Sequence, residues 1–536
     1  MRTMIGVACG SILAAWVMLV SAAAFAGDWP QWRGPNRDGI VLDSPPLVEE
    51  FPKDGLKKLW ESEPIPGGES QGGWAQPVVA AGRVFVNQPK HFRIPIDTRL
   101  LSKQALGSLG SVAGVPDDLV KAMEAARTSE DRAKLKGNEL NKWLDEWIKT
   151  NMKPEQRKFQ GAVRNRVALG TQALPLETLS KLEAVADKPF ASQAEFDAWI
   201  KQQGIDDATA KTIMKRVPTT KPGGTDVLFC LEEATGKTLW KKEFPGSGEG
   251  RPNSTTLCVQ GGKCWLPTST GVVFCLDTKD GNVLWESKPF SGVLASSPLL
   301  AGGKVIFGTY NGIHALDAKT GELAWSGSAL SHEGSPVAWI SGGKSRIILA
   351  TRTERIYCLD METGKVLWPV PVTTGYTGCT PAVSGDVMVF CGGAPKWALS
   401  AYRISPEKPE ESWSVPFTER YSCPVIYKGF VYAIGGAAQA KDKKGKALCV
   451  ELATGKVVWD EMIGAGVELS SPIIADGKVI AQAGPWLYLI KADPAKYTLI
   501  GKANLGLVPW MSPAFADGKL FVRTGKNVVC YDLRKP

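Results

Sequence analysis

The sequence predicts an all-β ring, an eight-bladed β-propeller whose N-terminal strand completes its last blade and whose first blade carries an α-helical insertion. Three observations lead there. Tryptophans 240, 285, 325, 368, 413 and 459 follow one another at intervals of 45, 40, 43, 45 and 46 residues, a period typical of propellers and solenoids. A motif repeats around them, clearest as Ala315-x-Asp317-x-x-Thr320-Gly321-x-x-x-Trp325. The last repeat stops at Tyr531-Asp532-Leu533 without its tryptophan strand, whereas an unattached one, Leu56-Lys-Lys-Leu-Trp60, lies near the N terminus.

Composition agrees with a large folded core. Of 536 residues, 44% are hydrophobic, and the 57 glycines and 36 prolines follow no three-residue period, which excludes disorder and collagen. Tryptophan (19) outnumbers phenylalanine (17) and tyrosine (10), an excess that the repeat explains. Residues 1–26 read as a secretory signal peptide. Arg2 precedes an apolar stretch from Met4 to Val20, and Ala24-Phe25-Ala26 sets cleavage after Ala26. The alternative is an uncleaved membrane anchor. With the signal removed, the protein is expected in the periplasm or secreted, with no integral span.

Residues 27–92 hold the N-terminal segment, the closing strand and the first half of blade one. Each repeat reads as four short strands: an apolar strand after a proline, a Gly-Gly-Lys or Asp-Gly-Lys turn, a strand and then another ending in Leu-Asp, and a Thr-Gly-Lys turn into the tryptophan strand. Proline is tolerated at the first position of a strand. Inner strands start at Gln76-Pro77, Ser254-Thr255, Ser297-Pro298, Ser335-Pro336, Thr380-Pro381, Cys423-Pro424, Ser471-Pro472 and Ser512-Pro513. Borrowing the Trp60 strand closes the ring and removes an exposed edge.

From 93 to 224 the strand pattern gives way to helices. Leu140, Trp143, Leu144, Trp147 and Ile148 form one helix face, Pro154-Glu155 marks a new start, and Ser192-x-x-Glu195 is a capping box. The insertion enters after Val84-Phe85-Val86 and leaves before Val227-Leu228-Phe229, on the connection expected at the mouth of the ring. It carries 22 Lys+Arg against 17 Asp+Glu, a net +5 read as a solvated helical surface or a docking arm. Residues 225–536 supply the rest of the propeller.

The repeats resemble the tryptophan-docking motif of the eight-bladed pyrroloquinoline-quinone-type propellers, a family that includes quinoprotein alcohol dehydrogenases and the outer-membrane assembly lipoprotein BamB. The resemblance implies that Trp60, Trp240, Trp285, Trp325, Trp368, Trp413 and Trp459 each wedge against a neighbouring turn, with Gly236, Gly281, Gly321, Gly364 and Gly455 as the turn glycines. The motif is strong in five units. Unit five substitutes Ser405-Pro-Glu-Lys-Pro-Glu for the turn, unit seven has Asp493-Pro494 and no tryptophan, and unit eight is truncated. A WD40 repeat is disfavoured, because Trp459-Asp460 does not recur. The opening Asp28-Trp-Pro-Gln-Trp32-Arg33-Gly34-Pro35 also resembles the start of many secreted bacterial members.

Few residues point to chemistry. Cys230, Cys275, Cys358, Cys449 and Cys530 fall in the slot of Ala315 and read as small packing residues. Two pairs, Cys258 with Cys264 and Cys379 with Cys423, are placed to oxidise after export. Histidine occurs only at 91, 314 and 332, which disfavours a histidine metal site, and no Cys-x-x-Cys-His haem motif, nucleophile elbow, Walker A loop or dinucleotide fingerprint is present. The candidates for binding are the residues just before each inner strand, expected to ring the mouth: Glu69, Trp74, Glu249, Arg251, His332, Glu333, Tyr376, Arg420, Tyr421, Glu468 and Trp510. Carboxylates facing arginines around aromatic rings suit a polar planar ligand or a cation.

Two functions follow. By the resemblance to BamB-like members, the protein is an exported, non-catalytic scaffold that presents rim and insertion to an envelope or secreted protein partner. The alternative is a pyrroloquinoline-quinone-dependent oxidoreductase of the alcohol-dehydrogenase type. By resemblance, such enzymes need calcium, a catalytic aspartate and often a disulfide between adjacent cysteines. This sequence has no adjacent cysteine pair and no aspartate among the rim candidates, so no cofactor or metal is expected and no catalytic residue is assigned. No dense basic, aromatic-interleaved stripe suggests nucleic acid.

Overall fold

The computed structural model describes residues 27–68, 73–249, 253–291, 296–330, 333–351, 355–371, 377–392, 397–419, 421–436, 444–465 and 470–536. It divides into two compact units, one made of Met1–His91 with Gly224–Pro536 and the other of Phe92–Gly223. The first is a β-propeller. Among its described residues are eight sheets in which strands consecutive along the chain lie side by side. The third sheet is representative: Leu299–Ala301, Lys304–Thr309, Gly312–Asp317 and Leu323–Gly327. Its first turn is Gly302-Gly303, both left-handed (φ 56° and 70°), the backbone that a two-residue hairpin turn demands.

The eighth sheet closes by exchange. Lys57–Pro64 pairs antiparallel with Asn527–Asp532, placing Trp60 opposite Cys530. The same opposition recurs in every tryptophan-bearing sheet: a Cys or Ala faces the indole, as Ala315 faces Trp325, and the register slips beside it. A small residue is needed there because the bulge turns the indole toward the neighbouring sheet rather than over its own strand.

All seven of these indoles donate to a main-chain carbonyl of the following sheet. The acceptors are Glu233, Thr278, Ala318, Met361, Ser405, Leu452 and Asp493, at 2.7–3.3 Å. Trp368 and Trp459 therefore dock even on the turns whose sequence departs from the motif. Gly236, Gly281, Gly321, Gly364 and Gly455 lie beneath the rings of Trp60, Trp240, Trp285, Trp325 and Trp413, where a Cβ would fall within 3.0 Å of the indole. The Asp of the motif fastens the turn: Asp317 accepts from the main-chain N–H groups of Lys319 and Thr320, and those bonds hold its carboxyl below the ordinary range. The seventh sheet uses a substitute. Gly501 stands opposite Leu489 in the tryptophan slot, and the ring of Phe51, from the N-terminal segment, covers it. Leu47 and Val48 bond nearby to the Asp476 side chain and the Leu533 carbonyl, so this segment staples the seventh sheet to the eighth.

A second set of joints runs around the inner strands. The N–H of Gln76 donates to the Thr256 hydroxyl, Thr256 to Ser297, Ser297 to Ser335, Ser335 to Thr380, Thr380 to the Cys423 thiol, Cys423 to Ser471 and Ser471 to Ser512, at 2.9–3.2 Å. The Gln76 side chain then donates to the Pro513 carbonyl at 2.5 Å. All but Thr256 precede a proline, which holds the residue before it extended. The expected inner-strand start at Ser254-Thr255 is thus corrected by two residues, to Thr256-Leu257. That sheet lacks the marker proline.

The second unit is helical, with helices such as Asp117–Arg127, Gly137–Asn151, Gln160–Leu169 and Gln193–Gln202. Leu144 and Ile148 are buried on the expected face, with Leu140, Trp143 and Trp147 packed beside them. Pro154 opens a 3-10 turn, Pro154–Phe159, rather than an α-helix. Ser192 caps its helix by accepting from Glu195 N, while the Glu195 carboxylate reaches Ala191 N. The buried Arg166 is held by Glu124 at 2.5 Å and by the carbonyls of Gly110 and Leu174. No helix of the described residues is long and apolar enough to cross a membrane.

Two predictions follow from these contacts. Trp60→Ala removes a nearly buried indole and the joint that shuts the ring, and should lower unfolding free energy by about 3–5 kcal/mol in denaturant titration. Burial alone raises the Glu124 carboxyl, but hydrogen bonds and charge from Arg127 and Arg166 outweigh it and hold the group at about 2, below its ordinary 4.5. The unfolded chain therefore binds this proton first. The stabilisation is complete above pH 4.5 and is lost as pH falls toward 2, so Glu124→Gln should flatten the acid limb of a stability profile in that window.

Candidate binding pocket

The segment from Asp28 to Val41 runs into the ring. Trp29 pairs with Val79 of the first inner strand, and Pro30 accepts from Val259 of the second. Arg37 donates to the carbonyls of Ser297 and Pro298 beside the third, Trp32 to the Thr380 hydroxyl at the fifth, and Arg33 to the Pro424 carbonyl at the sixth. Ile40–Val41 then lies parallel to the seventh, pairing with Ile474 and Ala475. A single segment that touches six inner strands on opposite sides occupies the axis of the ring and stops its central channel.

Tight turns make this possible. Arg33 and Arg37 are left-handed (φ 62° and 60°) and 1% exposed. Gly34, also left-handed, sits under the Trp29 indole where a Cβ would clash. The hydrogen bonds that both guanidinium groups make go mainly to carbonyls and none to a carboxylate, while Arg33 Nε and Nη1 and Arg37 Nε are buried without a partner. Burial lowers Arg37 to about 9, which leaves it charged at neutral pH.

Over this plug lies a small pocket of about 150 Å³, open to solvent and below the usual size of small-molecule sites. Trp32, Trp74, Tyr421 and Trp510 supply its aromatic surface. Ser254, Ser297, Ser335, Ser470, Ser471 and Ser512 line it, with Gly378 and Glu333; the Ser470 hydroxyl itself is buried. Gly378 leaves room for Tyr421 and Glu333, since a Cβ there would press on both. Trp74 and Trp510 meet edge to face at 5.7 Å and 86°, and Tyr421 meets Trp510 at 6.4 Å and 79°.

Of the rim candidates, Trp74, Glu333, Tyr421 and Trp510 come together in this pocket. Glu249 does not line it; its N–H bonds to Ser247 Oγ in a turn before the second inner strand. Glu69, Arg251, His332, Tyr376, Arg420 and Glu468 lie outside the described residues. Sequence reasoning missed Trp32 and the serines. The serines were visible as the residues before the marker prolines, used only to count strands.

The cysteines behave as packing groups. All ten described thiols are free and buried. Cys258 faces the core shared with the third sheet and Cys264 the core shared with the first, opposite sides of one hairpin, so that pair is not positioned to oxidise. Cys423 acts as a hydroxyl in the inner ring, and Cys379 accepts from Cys391 N within its own hairpin, as Ser296 does from Gly308. His314 packs on Phe290 at 4.6 Å and pairs with Ser326 at 2.9 Å, and burial lowers its pKa.

No group of three or more His, Cys, Asp or Glu able to hold a metal ion occurs among the described residues. Calcium prefers six to eight oxygen ligands with several carboxylates, and a quinone bearing carboxylates needs cationic donors. The described wall offers Glu333 as its only carboxylate and no Lys or Arg, so these residues do not fit a calcium-quinone pair.

Residues 311–488 match the family described as outer membrane protein assembly factor BamB. Among curated proteins, tetrathionate hydrolase of Acidithiobacillus ferrooxidans is 24% identical over 202 residues, 33% of this chain and 38% of that protein. The chain thus matches well under half of that relative's length. Similar solved structures include BamB from Moraxella catarrhalis (16% identity, 55% of this chain and 86% of that one, TM-score 0.45). Another is quinohemoprotein alcohol dehydrogenase from Comamonas testosteroni (14%, 58% and 72%, 0.42).

Burial pushes the thiols of Cys230, Cys258, Cys358, Cys449 and Cys530 up to about 12. A thiol-reactive dye should accordingly leave these five cysteines unlabelled at pH 8 in the native protein and label all five in denaturant, located by peptide mass.

Proposed function

We propose that this chain is an exported, non-catalytic propeller of the cell envelope, eight-bladed, with a helical insertion in its first blade, that engages a protein partner through its rim and insertion. The observation that carries the reading is the pocket wall. Acid–base chemistry needs a proton donor and acceptor placed together, and the described wall combines hydroxyls and indoles with one carboxylate. Stopping the channel with the chain's own arginine-bearing segment leaves a shallow recognition surface rather than an enclosed reaction chamber. The match of residues 311–488 to an assembly-factor family supports the same reading.

The test has two arms. Purified protein mixed with pyrroloquinoline quinone and calcium should gain no stoichiometric chromophore and reduce no dye with alcohols, and should not consume tetrathionate. Turnover in any of these overturns the proposal. Affinity capture from an envelope extract should recover a protein with the whole chain that is lost when residues 93–224 are replaced by a short linker. Identical recovery by both forms would remove the insertion from the interface.

A further inference from the structure

We infer that the mouth pocket is a saccharide site that seats a neutral pyranose unit. Three kinds of group face the space, and one ligand chemistry satisfies all of them. The first is flat apolar surface. Trp74 and Trp510 stand nearly perpendicular, and Trp510 and Tyr421 likewise, so their faces form a corner rather than one stacking plane. Trp32 adds a fourth aromatic group, and its indole N–H is anchored on the Thr380 hydroxyl at 2.9 Å.

The second is a set of neutral hydroxyls. Ser297, Ser335, Ser471 and Ser512 each accept a main-chain N–H from the preceding sheet. That contact uses an oxygen lone pair, and each hydroxyl retains a proton to give and a second lone pair. All four line the pocket. The third is the carboxylate of Glu333, an acceptor only when ionised.

A purely apolar ligand would take water from the serines and Glu333 and return no hydrogen bond. A flat polyanion would meet Glu333 with no Lys or Arg among the described lining residues. A pyranose presents C–H faces to aromatic rings and a rim of hydroxyls that both donate and accept, the pattern that this wall complements. Backbone strain marks the same place: Trp510 is left-handed at φ 64°, a conformation that a bulky residue adopts rarely and that tends to persist at binding sites.

The proposal goes beyond the scaffold reading and fails separately from it, since sugar binding is read without any partner protein or turnover. The experiment uses the full mature chain. Tryptophan fluorescence is titrated with glucose, N-acetylglucosamine, maltotriose, cellotriose and chitotriose, alongside an array of neutral glycans, with sorbitol as an open-chain polyol that lacks ring faces. Saturable binding of at least one pyranose ligand is expected, at least tenfold tighter than sorbitol. Monosaccharides against trisaccharides then distinguish a free sugar from the end of a polymer. Trp510→Ala and Glu333→Gln should each weaken binding at least tenfold with an unchanged melting temperature, and Trp74→Ala replaces the former if it does not fold. The proposal is overturned if no neutral glycan binds, if sorbitol binds equally, or if these variants bind like the parent.

Discussion

An indole laid on a turn that has no side chain is the contact on which this ring depends. The tryptophan brings a large apolar face and one N–H donor; the glycine beneath it brings closeness, and the adjacent carbonyl brings the acceptor. Neither half works alone, because a Cβ at Gly321 would collide with Trp285 and a smaller ring would leave the carbonyl unpaired. Where the tryptophan is absent, at Gly501, the ring of Phe51 fills the space from another part of the chain. The joint is therefore a volume to be occupied, and the sequence that occupies it is free to come from elsewhere.

A polar counterpart runs around the inner strands. Except where the Gln76 side chain closes the ring, each lateral bond pairs a main-chain N–H with a hydroxyl or thiol one sheet further on, and at every joint residue but Thr256 the following proline holds the chain extended. Four of the residues that join the sheets, Ser297, Ser335, Ser471 and Ser512, also line the pocket. The N-terminal segment completes both jobs. Arg33 and Arg37 fasten carbonyls on opposite sides of the ring, and Trp32 becomes part of the pocket surface. The joints of the ring and the wall of the pocket thus share residues.

Legibility in the sequence followed the range of the interaction concerned. Asp317, Thr320, Gly321 and Trp325 act within one repeat and its neighbour, so their spacing alone announces them. Trp74, Glu333, Tyr421 and Trp510 were found because each precedes an inner strand, and a repeat places equivalent positions at one end of the ring. Glu249 satisfies the same rule, yet it is not among the residues that line the pocket. Ser254-Thr255 was misplaced by two residues because no proline marks that strand. Cys258 and Cys264 looked like a pair only because proximity along a hairpin does not reveal which face of the sheet each side chain takes.

By itself, the order of residues determined the strand period, the borrowed Trp60 strand, the helical character of the insertion and the small residues opposite the indoles. These are local rules of spacing, size and backbone preference. Only the tertiary structure decided that Asp28–Val41 stops the channel, that Phe51 replaces a tryptophan, and that eight residues before the inner strands form one hydrogen-bonded ring. Each joins atoms hundreds of positions apart, as Arg33 does with Pro424. No periodicity encodes such a contact; it exists once closure brings the two ends of the chain together.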